Sequence, residues 1–187
     1  MATVAVAGRI KGKLYWGVTT ADGDAPYGGV ELGSVRNMVW APVPNIGRIR
    51  AEEWGGQTAG KIYNGENVVF SAMLREWNNN AIAEIFPNTV TSAGSDEGVK
   101  YDVTDNSGAR AGTLLAVNTL LFVPQKPTVH RSILLYACTP NIEEAAQILF
   151  NRGTEFGIPV VFDGEPDKNG LVYQWDLLAN LTEPPGA

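Results

Sequence analysis

The sequence predicts a mainly β protein, an antiparallel β-sandwich or barrel with a short flanking α-helix. Three observations carry that prediction. Twenty-one glycines and 11 prolines in 187 residues break the chain into many short segments, as turn-rich all-β folds require. Hydrophobic residues make up 44% and charged residues 18%, enough apolar material for one sizeable core. In Gly65–Trp77, Val68, Phe70, Ala72 and Leu74 alternate with Asn67, Val69, Ser71 and Met73, the period of a strand with one buried face. The length suits a single domain over residues 1–178, with residues 179–187, ending Glu-Pro-Pro-Gly-Ala, as a mobile tail.

Thr3–Ile10 and Lys13–Thr20 read as two strands around a Lys11-Gly12 turn. Ala21–Gly29, rich in glycine and aspartate, reads as a surface loop. Val30–Val39 is a further strand. Val43-Pro44-Asn45 breaks the pattern before Ile46–Glu53, where Ile46, Arg48, Arg50 and Glu52 face opposite to Gly47, Ile49, Ala51 and Glu53. Trp54–Asn64 is a long glycine-rich loop, followed by the Gly65–Trp77 strand. Asn78–Asn80 can cap a two-turn helix whose apolar side carries Ala81, Ile82, Ile85 and Phe86 and which Pro87 ends.

Residues 89–107 are polar and turn-rich, with a short strand expected at Val99–Val103. Gly112–Val123 and Thr128–Cys138, joined through Pro124 and Pro127, are the longest apolar β-rich runs and the expected central strands. In Pro140–Phe150 the local period, with Ile142, Ala145, Ala146, Leu149 and Phe150 on one side, favours a helix.

Chemistry-bearing motifs fail on inspection. Gly55–Ile62 follows the phosphate-binding loop pattern until Ile62 stands where a Ser or Thr must hold magnesium, and a β-pattern follows where a helix is needed. Asp163–Gly170 alternates oxygen side chains, but Lys168 replaces the calcium loop's sixth-position glycine and Gln174 its final Glu. A single histidine, His130, rules out a histidine-rich metal site. No nucleophile, base and orienting group can be nominated together, so no catalytic residue, cofactor or metal site is expected. Cys138, the lone cysteine, lies in an apolar run and reads as a small buried residue. The N-terminus lacks the pattern of a secretory signal and no apolar run reaches membrane-span length, so cytoplasmic production and no membrane partner are expected.

The net charge is −6 and uneven: residues 1–61 carry seven Lys/Arg against five Asp/Glu, the rest seven against fifteen. That balance argues against tight nucleic-acid binding, which depends on neutralising phosphates.

The strand Glu66–Trp77 (ENVVFSAMLREW), the glycine-containing loop before it and the helix Asn79–Pro87 (NNAIAEIFP) together resemble the tail tube (major tail) proteins of long-tailed bacteriophages. Gly157–Asp163 (GIPVVFD), the acidic turn Gly164–Asn169 and Leu171–Leu177 (LVYQWDL) extend the resemblance over most of residues 30–178. The tail-tube pattern would put a strand through about residues 146–154, against the local period there. The resemblance implies a non-enzymatic virion protein assembled in the host cytoplasm, forming six-membered rings that stack into a tube through which DNA passes without specific binding. Its partners would be further copies of itself and other tail proteins.

The assembly loop would be Trp54, Gly55, Gly56, Gln57, Thr58, Gly60, Lys61 and Tyr63, with Trp54 as an intersubunit anchor or as packing for its own loop. Alternate residues of Glu66–Glu76 would line a smooth acidic or neutral lumen. Two other readings stay open: a tail terminator or other ring protein of the same fold, and a monomeric β-barrel holding a small apolar ligand, which the five tryptophans also suit.

Overall fold

The structure, a computed structural model, describes residues 11–21, 23–51, 57–75, 89–93, 99–103, 117–141 and 157–182. It is mainly β, with nine strands: β1 Gly12–Trp16, β2 Val30–Ala51, β3 Gln57–Leu74, β4 Thr89–Ala93, β5 Val99–Val103, β6 Asn118–Pro124, β7 Ser132–Pro140, β8 Ile158–Glu165 and β9 Tyr173–Asp176. Among the described residues, helix is confined to a 3-10 turn at Leu178–Asn180. The expected helix at residues 78–87 and the ambiguous segment 140–150 from residue 142 onward lie outside the described residues.

The main sheet runs β6-β1-β2-β3-β8-β7-β9, and β6 also pairs with β7. That last pairing closes six strands into an antiparallel barrel. β9 continues along the edge of β7, pairing with Ser132–Leu135 while β8 takes Ala137–Pro140. β4 and β5 form a separate two-stranded hairpin.

Alternation decides what fills the barrel. From β3 come Val68, Phe70, Ala72 and Leu74, from β8 Ile158, Val160 and Phe162, and from β1 and β6 Leu14, Trp16, Leu120 and Phe122. The rings interlock, with Trp16 and Phe162 centroids 5.2 Å apart and Phe70 and Phe122 6.4 Å apart. Cys138 sits in this core and its Sγ donates to the Asn118 carbonyl at 3.2 Å. A second apolar layer covers the outside of β1, β6 and β7, where Tyr15, Leu121, Leu134 and Tyr136 pack under Val18, Ala21, Tyr27 and Leu181. Residues 179–181, expected within a mobile tail, instead pack on the barrel through a 3-10 turn and the buried Leu181, and residues 183–187 lie outside the described residues.

Three further expectations give way. Lys11-Gly12 is no hairpin turn, because Gly12 is already in β1, paired with both Val35 and Pro124. A Cβ there would strike the Phe122 ring and the Val123 carbonyl, so glycine lets β1 and β6 close. Val43-Pro44-Asn45 does not interrupt the chain: β2 is one strand of 22 residues. Among the described residues β1 pairs with β2 only along Val30–Val35, so no described strand on that edge needs a ladder bond from Pro42 or Pro44. Residues 89–107 hold two strands, Val99–Val103 as expected and Thr89–Ala93 beside it.

Candidate functional site

Beyond the barrel, among the described residues, β2 and β3 continue as a pair. β3 pairs with β8 only from Val68 to Leu74, yet β2 and β3 pair with each other out to Ala51 and Gln57. Val43–Ala51 and Gln57–Asn67 thus form a two-stranded ribbon, roughly 30 Å long at about 3.3 Å per residue. Gln57–Asn64, expected as the greater part of an assembly loop, is extended strand in this ribbon. Gly60, one of the glycines that suggested a loop, pairs with Ile49, and Gly47 of the expected Ile46–Glu53 strand pairs with Ile62. Of the expected assembly residues, Gln57, Thr58, Gly60, Lys61 and Tyr63 belong to the ribbon, while Trp54, Gly55 and Gly56 lie outside the described residues.

The register divides the ribbon into two faces, since cross-strand partners share a side. Continuing the outer surface of the barrel are Val39, Val43, Ile49 and Ile62, exposed by 55, 50, 46 and 49%. The other face begins with the pair Ile46 and Tyr63, both exposed, and then carries Arg48 opposite Lys61, with Arg50 two residues further on. Its sidedness depends on a register slip between Pro44 and Ile46, where Gly65, at φ +110°, takes a conformation unfavourable to other residues.

A polar bracket roots the ribbon. Tyr63 donates to Glu66 Oε2 at 3.2 Å and Tyr173 of β9 donates to Glu66 Oε1 at 3.0 Å. The Tyr173 phenol is pushed above its ordinary pKa, first by partial burial and then by the Glu66 carboxylate it faces. Tyr173 also meets Trp40 edge-on at 4.9 Å, and Trp40 lies 5.8 Å from Trp175, over which the Arg131 guanidinium sits at 4.4 Å. This aromatic group at the ribbon's root was not foreseen; the tryptophan count was the one signal pointing to it.

Other candidates are weaker. Asp167 accepts the backbone N–H of Asn169 and Leu171, so the calcium-like segment is a self-capped turn. His130 is half-buried in the β6–β7 connection, its backbone N–H donating to the Lys126 carbonyl. A cleft of about 480 Å³ opens at the rim opposite the ribbon, lined in part by Lys11, Lys13 and Arg75, with Lys13 ion-paired to Glu31 at 2.6 Å.

Comparison of the chain with protein-family models and with curated proteins finds no match. The functional reading therefore rests on the residues themselves. Of the alternate residues expected to line a lumen, Val68, Phe70, Ala72 and Leu74 fill the protein's own barrel, while Val69, Ser71 and Met73 lie on the other side of β3.

Proposed function

We propose that this chain is a non-enzymatic structural subunit that assembles with copies of itself, in the manner of a tail-tube protein, with the ribbon as the element that reaches the neighbour. The observation carrying the proposal is the exposed apolar stripe that runs from Val39 on the barrel onto the ribbon as Val43, Ile49 and Ile62, where no third strand is present among the described residues. A two-stranded ribbon is marginal in water, and one with three half-exposed aliphatic side chains on a single face is completed by a partner surface. The barrel is closed, so among the described strands edge pairing between subunits falls to the ribbon, β9 and the β4–β5 hairpin. Residues that meet a neighbour differ from those that receive them, and such a head-to-tail contact generates rings when the rotation closes.

Stacked rings would form the conduit for DNA inside a virion tail, with the acidic balance of the chain opposing retention of phosphates. The interior of the barrel, occupied by Trp16, Phe70, Phe122 and Phe162, lends no support to the ligand-binding alternative. The test is negative-stain electron microscopy with sedimentation velocity over a wide concentration range. Hollow tubes of indefinite length are expected; single rings would favour a terminator, and a monomer at every concentration would overturn the proposal.

A further inference from the structure

The ribbon's second face poses its own problem. Arg48 stands directly opposite Lys61, an arrangement that destabilises a strand pair, and Arg50 adds a third cation on the same side. No ion pair or hydrogen bond holds any of the three among the described residues. On the same face Arg48 lies about 13 Å along the strand from Pro44, whose partner Glu66 already accepts from Tyr63 and Tyr173.

A matching surface exists on the barrel. β8 buries Ile158, Val160, Phe162 and Gly164 and turns Val161, Asp163 and Glu165 outward. Val161 and Asp163 lie beside Ser71 and Val69 of β3, which lie beside Val39 and Ala41 of β2. This face thus reads as an aliphatic strip bordered by two carboxylates, while the ribbon face reads as an Ile46–Tyr63 pair followed by three cations. Asp163 is oriented by Asn141, whose Nδ2 donates to Oδ2 at 2.8 Å, and Glu165 is exposed.

We propose that the cationic ribbon face of one copy seats on the outer face of β8 in the next, with Arg48 and Lys61 against Asp163 and Glu165. This rests on the self-assembly proposed above and names the surface that receives the ribbon. The alternative occupant of the three cations, a nucleic-acid backbone, fits a chain of net charge −6 less well than the chain's own carboxylates do. Contact between unlike patches is directional, and the paired charges fix its register more than its strength.

Two variants test it: R48E/K61E, with an acidic ribbon, and D163K/E165K, with a basic receiving face; E165K alone replaces the latter if losing the Asn141 contact impairs folding. Each alone should associate at least tenfold more weakly than the unaltered protein, because like charges meet. Mixed in equal amounts they should recover association, since each ribbon then finds a face of opposite charge and the two alternate. Association of the unaltered protein should also weaken as salt rises from about 0.05 to 0.5 M.

Full assembly by either variant, or failure of the mixture to recover while the unaltered protein assembles, overturns the charge pairing and leaves self-assembly standing. An unaltered protein that never associates overturns both. Binding of a single-stranded DNA oligonucleotide, lost in R48E/K61E while self-association is unchanged, overturns the pairing in favour of a nucleic-acid site.

Discussion

Replacing Ile49 and Ile62 together by threonine separates assembly from folding. Threonine keeps the β-branch and strand preference of isoleucine, and both side chains are about half exposed, so the isolated subunit loses little. Exposed changes of this kind stay within roughly 0.5 kcal/mol each, which for a domain of this size moves the melting temperature by no more than about 3 °C. Assembly is affected differently. Complete burial of an isoleucine is worth about 1.5–3 kcal/mol, and the half left exposed accounts for about 1 kcal/mol per residue when a neighbour covers it. The pair therefore contributes about 2 kcal/mol per contact, or roughly 30-fold in association constant. Sedimentation velocity against concentration reads this as a shift of the assembly midpoint, with thermal melting of dilute protein as the control. Unchanged assembly would refute the stripe as the contact; a large loss of melting temperature in dilute protein would show that the stripe is covered within its own chain.

Three predictions concern the barrel. Phe162→Ala removes a ring packed on Trp16 and should cost about 3–5 kcal/mol, measured as a lower urea midpoint at constant slope; a loss under about 1 kcal/mol would contradict the packing. Cys138 is fully buried and its thiol pushed well above the ordinary range, so a thiol reagent should modify it only in denaturant; rapid labelling of the native protein would contradict its place in the core. Tyr15, Tyr27 and Tyr136 are all pushed above their ordinary pKa of 10.0, chiefly by burial. Their folded values exceed their unfolded ones, so their contribution is complete below pH 10 and is lost as pH rises through the folded values. Melting temperature should then fall above about pH 10 along with phenolate absorbance; ionisation at the ordinary value with no loss of stability would contradict it.

The body of the fold was legible because burial there follows a local rule. Val68–Leu74 and Ile158–Phe162 alternate strictly, and each strand reports its own inward face without reference to its neighbours. The ribbon was only half legible, for the opposite reason. Ile46–Glu53 alternates and reads as a strand, but Gly60 looks like a loop former in isolation, and only the register shows it facing Ile49 across the pair. Val43-Pro44-Asn45 likewise looks like a break until β2 is seen to run through it as one strand of 22 residues. Alternation also shows that Val68 and Phe70 share a side, but only the closure of β6 on β7 decides that this side is enclosed. Leu181 joins the outer layer with Tyr15 and Tyr27 over a separation in sequence that no local pattern spans.

The pairing of β6 with β7 has a bearing on timing. A sheet that closes within one polypeptide completes its hydrogen-bond circuit without help, so the barrel of each newly made chain can mature alone. If subunits join as proposed, folding and polymerisation then answer to different residues, the barrel interior to the one and the ribbon to the other.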